Sequence, residues 1–167
     1  MQPVLVVKGK RIEGVTLLAE CTAEQATTIR VLNDALATEV IAILRYQRHY
    51  FMTAGIGARY VKATFLQHVT EERAHADLLV ERIVQLGGKA ELSPERLLKR
   101  SQAEDVEGES LLQMITADLT AERVAIESYR DMITAIDSDD PATQQVLARI
   151  LEQEEVHAES LARLLRE

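Results

Sequence analysis

Apolar residues return every three or four positions through four long stretches of this 167-residue chain. That is the period of helices that each bury one face. In the first stretch Ile29, Leu32, Leu36, Ile43, Tyr46 and Tyr50 share a stripe. Thr22, with Gln25 three residues on, predicts a capping box at its start, and Gly55 and Gly57 predict its end near Thr53. The second covers about 58–86, with Val61, Phe65 and Leu79 inward and Gly87-Gly88 as the stop. Leu112, Ile115, Leu119, Ile126, Tyr129 and Ile133 mark a third over about 109–136. Leu147, Ile150 and Leu161 mark a fourth over about 141–165, opened by Pro141 after the turn at 137–140.

The first two helices are joined by so short a turn that they must be antiparallel neighbours. Residues 88–108 are a different kind of connection. About 20 residues at ~3.3 Å each can span ~60 Å, whereas a 30-residue helix is ~45 Å long. The connection can therefore run the length of a bundle and start the third helix at the far end. Within it, Ser93-Pro94-Glu95 predicts a short helix over 94–101, with Ser93 as its cap. The expected fold class is all-α: a four-helix bundle with a long crossover between the second and third helices. Residues 1–21 stand apart, because Val4–Val7, Lys8-Gly9-Lys10 and Arg11–Val15 read as an extended or hairpin-like arm. It either packs on its own bundle or reaches a neighbouring subunit. Residues 22–167 form the expected helical domain.

Six polar residues interrupt the apolar stripes, and they change the picture. Glu39 lies on the first helix and Glu122 on the third; the second carries Glu72 and His75, the fourth Glu154 and His157. Residues three apart share a helix face, so each Glu-x-x-His pair points one way. The spacing is itself repeated: Glu39 precedes Glu72 by 33 residues, and Glu122 precedes Glu154 by 32. A Glu from each of two helices and a Glu-x-x-His from each of two others is the arrangement of di-metal carboxylate bundles. Four buried carboxylates cannot all stay charged without compensation; either some are protonated or cations sit among them. Two divalent cations balance four carboxylates. Glu72 and Glu154 would bridge, Glu39 and His75 would complete one metal, and Glu122 and His157 the other. Carboxylate with imidazole suits iron or manganese, and zinc fits as well. The alternative for these six is surface glutamates and two satisfied core histidines.

Tyr46 follows Glu39 by two turns, and Tyr129 follows Glu122 likewise. Each is either a core aromatic with a bonded hydroxyl or a side chain that bonds a ligand carboxylate or lends an electron; Tyr46 is the candidate catalytic residue. His68, one turn before Glu72, reads as a partly exposed histidine, with an accessory metal ligand as the alternative. Glu71 reads as a solvated carboxylate, with an accessory part beside His68 as the alternative, and His49 carries no assigned role.

Composition narrows the classes. The net charge of −8 argues against a nucleic-acid or anionic-membrane surface. The single cysteine, Cys21, excludes an internal disulfide and Cys-based metal sites, and is expected to be inert. The apolar run at Val4–Val7 is too short for a signal peptide or a span, so a cytoplasmic location is expected.

With these motifs the sequence resembles the ferritin-like superfamily over about residues 23–165, most closely bacterioferritin in its Glu / Glu-x-x-His / Glu / Glu-x-x-His order. The resemblance implies an up-down-down-up bundle that oxidises Fe(II) with O2 or H2O2 and stores iron, with two iron ions per subunit. It implies Glu39, Glu72, His75, Glu122, Glu154 and His157 as di-iron ligands; Tyr46 falls where bacterioferritins carry a tyrosine near the centre. Arg73 stands where bacterioferritins place their haem-ligating methionine, so haem is not expected. Only ten residues follow His157, so the fifth helix of 24-subunit cages is not expected either. The short helix at 94–101 is similar to the connecting-loop helix of Dps proteins. Together these imply a homo-oligomeric cage of 12 subunits, with 24 as the alternative. Rubrerythrins and manganese catalases share parts of the ligand pattern, so a di-metal peroxidase or catalase without iron storage is the competing reading.

Overall fold

Thr22 and Gln25 do cap the first helix, α1 (Ala23–Met52): the Gln25 N–H donates to Thr22 Oγ1 at 3.1 Å, and the Thr22 N–H to Gln25 Oε1 at 3.0 Å. The chain is seen here in a computed structural model that describes residues 22–55, 58–102, 108–136 and 139–166, together with the backbone of 6–7 and 10–11. α2 (Ala58–Gln85) follows, then the short α3 (Pro94–Arg100), α4 (Leu111–Ala135) and α5 (Pro141–Leu164). α4 starts two residues later than its stripe predicts, because Ser110 and Gln113 form a second capping box. Asp140 caps α5 by accepting the Thr143 N–H at 3.0 Å. Ser93 holds the cap position of α3 as expected, but its hydroxyl makes no capping bond.

The side-chain pairings fix the directions. Along α1 and α4, Glu39 meets Tyr129, Tyr46 meets Glu122 and His49 meets Asp118, so these helices are antiparallel. Arg82 meets Thr143 and His75 meets Gln153, so α2 and α5 are antiparallel too. α2 and α4 therefore run the same way, and residues 86–110 form the crossover.

It leaves α2 through Gly87, whose φ is +79°, with the Gly88 N–H bonded to Ile83 O at 2.8 Å. A Cβ on Gly88 would lie 2.8 Å from the Ile29 side chain, so only glycine lets the chain turn so close to α1. The connection then lies along α1. The Asn33 amide donates to Lys89 O at 3.2 Å and its oxygen accepts the Glu91 N–H at 2.7 Å. Farther along, Arg100 pairs with Asp34 at 2.6 Å and Thr38 accepts the Gln102 N–H at 3.0 Å.

The interior has two apolar blocks. Leu32, Leu36, Leu79, Ile83, Leu147 and Ile150 fill one end, with Tyr129 and Met132. Val61, Phe65, Val69, Ile115, Leu119 and Leu161 fill the other, with Tyr46. Leu112, expected inward, is 64% exposed; Met114, Ile115 and Asp118 take the buried positions at that end of α4. Near the N-terminus β1 (Val6–Val7) pairs antiparallel with β2 (Lys10–Arg11), Val6 opposite Arg11. Where that arm packs, and the surroundings of Cys21, lie outside the described residues. Among the described residues no helix is long and apolar enough to cross a membrane.

Candidate metal centre

Between the two apolar blocks the four long helices turn Glu39, Glu72, His75, Glu122, Glu154 and His157 toward one another, each almost fully buried. The structure thus brings all six residues singled out by the sequence into one cluster. It divides as the spacing suggests: Glu39, Glu72, His75 and Glu154 offer ligand atoms within 4.8 Å of one another, and so do Glu72, Glu122, Glu154 and His157. Glu72 and Glu154 belong to both groups.

His75 Nδ1 faces the carboxylates, 2.9 Å from Glu154 Oε1, 3.1 Å from Glu72 Oε2 and 3.2 Å from Glu39 Oε2. His157 Nδ1 lies 3.2 Å from Glu72 Oε1 and 3.5 Å from Glu154 Oε2. Yet His157 Nδ1, Glu72 Oε1 and Glu154 Oε1 make no well-aligned hydrogen bond, although all are buried. Close approach with poor alignment is what donor atoms aimed at a common point produce. Oxygen and imidazole donors with two shared carboxylates fit a pair of divalent cations. The tyrosines add one bond each: the Tyr129 hydroxyl donates to Glu39 Oε1 at 2.5 Å, and the Tyr46 hydroxyl donates to Glu122 Oε1.

The protonation pattern is as informative as the geometry. Burial, reinforced by the charge of Glu154, pushes Glu39 and Glu122 well above the usual carboxylate range. Burial also opposes ionisation of Glu72 and Glu154, but the close approach of the His157 and His75 imidazoles holds both below that range. In return the carboxylates overcome the burial of the rings: His157 is raised to about 10, and His75 is raised as well. All of these shifts run toward less unpaired charge within the buried cluster.

The sequence missed the partners behind the cluster. His75 Nε2 donates to Gln153 Oε1 at 2.9 Å, and His157 Nε2 donates to Glu71 Oε2 at 2.8 Å. Glu71 is therefore not simply solvated, though its side chain is 29% exposed. His68, expected to be partly exposed, is buried: its ring stacks on His157 at 4.1 Å and meets the Tyr46 ring edge-on at 4.9 Å. Burial and the neighbouring His157 lower its pKa to about 4, so it is neutral. His68, Glu71 and His157 also form a third group of potential ligands. Gln153 beside Glu154 carries no sequence signal; His68 and Glu71, each within one turn of Glu72, carry a faint one.

Behind Tyr46 lies a buried ionic network that no sequence pattern predicts. Asp118 accepts from Arg45 Nε at 2.9 Å and pairs with His49 Nδ1 at 2.8 Å, all three side chains nearly inaccessible. Asp118 lies four residues before Glu122 on the same face of α4, the only hint available. Asp118→Ala would leave the Arg45 charge buried and unpaired, so we expect a loss of about 3–5 kcal/mol in unfolding free energy, read from urea melts. A loss below ~1 kcal/mol, the value of an exposed pair, would mean that Arg45 is compensated elsewhere.

Known proteins share this fold. A family model described as Ferritin, the ferritin-like domain, matches residues 29–167. Bacterioferritin from Desulfovibrio desulfuricans is 29% identical over 134 residues, covering 80% of this chain and 71% of that protein. Among solved structures, the bacterioferritin-related protein from Bacteroides fragilis, described as a dodecameric thioferritin, superimposes with a TM-score of 0.80 at 26% identity. That likeness covers 85% of this chain and 86% of the other. Dps from Thermosynechococcus elongatus, 22% identical over 88% of this chain and 95% of its own, shares the fold with a TM-score of 0.81.

Proposed function

Because the chain belongs to the ferritin-like domain family, we propose that it oxidises Fe(II) at a pair of adjacent metal positions and keeps the product inside a homo-oligomeric cage. The observation that carries this reading is the pair of buried donor groups sharing Glu72 and Glu154. Glu72 and Glu154 would be shared by both ions, with Glu39 and His75 completing one position and Glu122 and His157 the other. The same donors would take manganese or zinc. Two Fe(II) give up two electrons together, which reduces one H2O2 to two waters or one O2 to H2O2. A neighbouring pair suits that stoichiometry.

The chain's own groups prepare the site. The tyrosine hydroxyls hold Glu39 and Glu122 in place. The apolar blocks on either side exclude water, which strengthens attraction between carboxylates and cations. Tyr46 is assigned the catalytic role: its hydroxyl touches a ligand carboxylate and its ring lies against His68, so it could lend an electron during oxygen reduction, passing its phenolic proton to Glu122 and regaining both the electron, from a further Fe(II), and the proton afterwards.

The likeness to a dodecameric relative supports a 12-subunit cage. Phe51, Tyr60 and Leu98 are exposed on the single chain, apolar surface that contacts between copies would cover. We assign the protein to the cytoplasm. The test is iron retained per chain after aerobic loading with excess Fe(II) and desalting. Tens of irons per chain are expected. About two per chain would mean a filled metal pair without a store, and would move the assignment to a di-metal redox enzyme acting on peroxide.

A further inference from the structure

The two halves of the cluster match in nearly every partner. Both share Glu72 and Glu154, each has one further glutamate held by a tyrosine hydroxyl, and each has one imidazole turned inward through Nδ1. They differ in what accepts the outward Nε2–H. For His75 it is the neutral amide oxygen of Gln153; for His157 it is the carboxylate of Glu71. Glu71 is steadied in turn by Gln67 Nε2 at 3.0 Å. An imidazole that donates to a carboxylate is a more basic ligand than one that donates to an amide, and Glu71 adds a negative charge that Gln153 does not. Arg45 is a second charge on the Glu122 side, and Asp118 pairs with it at 2.9 Å.

Resting on the metal-pair reading above, we infer that Glu71 makes the His157 half the tighter of two unequal cation positions, so that divalent cations load in a fixed order. The first ion occupies the Glu122–His157 half, and the Glu39–His75 half fills second. Glu71 is a positioning residue, since it acts through His157. At one equivalent of metal most chains then hold a single ion rather than half of them holding a pair. Pair formation becomes a threshold in metal concentration.

Anaerobic Co(II) titration, followed by visible absorbance and by free Co(II), tests this without any turnover. Repulsion between neighbouring cations splits the two steps in any such pair, so the substitutions are diagnostic. Glu71→Gln keeps an oxygen that can accept the Nε2–H and removes the charge; it should weaken the first step by about 10- to 100-fold, the usual effect of losing an outer partner of a ligand. Gln153→Glu should strengthen the second step. His75→Ala should keep the tight first step, and His157→Ala should lose it. An unchanged first step in Glu71→Gln, or a tight step that survives in His157→Ala, overturns the order of loading while the metal pair stands. Uptake of fewer than two Co(II) per native chain overturns the metal-pair reading and this inference with it.

Discussion

Glu72→Ala lowers the initial rate of Fe(II) oxidation by about 100-fold or more, beyond the effect of losing an outer-sphere partner, while the bundle stays folded. Glu72 belongs to both donor groups, so its loss removes a ligand from each position at once. Loss of a terminal ligand such as His157 removes one donor from one position, and should abolish the fast phase with less effect on binding at the other. The folded state survives because the apolar blocks on either side do not include Glu72. Stopped-flow oxidation, with circular dichroism on the same samples, checks both halves of the statement. Native initial rates in both Glu72→Ala and His157→Ala would refute the assignment of these ligands.

The second large effect is that of pH on loading. Burial and neighbouring charge raise Glu39 and Glu122, and the carboxylates around His75 and His157 raise both rings against the effect of burial. Cations compete with protons for these four groups. Filling the pair therefore releases protons, and the joint binding constant falls on acidification. The stability of the cation-free fold has its own pH dependence. His157 is raised from 6.5 to about 10, so its contribution is complete below 6.5 and is lost as pH rises through about 10. Glu72 and Glu154 act oppositely, since their lowered pKa values stabilise the fold above the ordinary carboxylate range and lose that effect in acid. A pH-stat titration with Zn(II) counts the released protons. No net release would mean that these groups hold no protons for the cations to displace.

The fold and the six clustered residues were legible for one reason: both are written in helical period. A glutamate that interrupts an apolar stripe shows which way it points, and Glu-x-x-His fixes two side chains on one face without knowledge of any other helix. What stayed hidden depends on the meeting of helices. Gln153 and Glu71 lie beside ligands rather than on the stripes, and only the antiparallel packing of α2 against α5 brings each to the ring of a histidine on the other helix. His49 carries no local signal, because Asp118, which makes its burial tolerable, is 69 residues away. His68 reads as partly exposed because no local pattern reveals that His157 covers it. Leu112 failed in the other direction: its spacing fits the stripe, but in the first turn of α4 that face stays open to solvent.

Asn33 deserves a last consequence. A helix spends its own N–H and C=O groups internally and has none to offer sideways to a passing chain. One Asn33 amide, donating to Lys89 O and accepting from the Glu91 N–H, supplies the donor and acceptor that a neighbouring strand would supply. The crossover is therefore docked as if beside a β-strand one residue long. Aspartate could satisfy the Glu91 N–H but not the Lys89 carbonyl, and leucine neither, so at this point both backbone groups of the crossover depend on a single carboxamide.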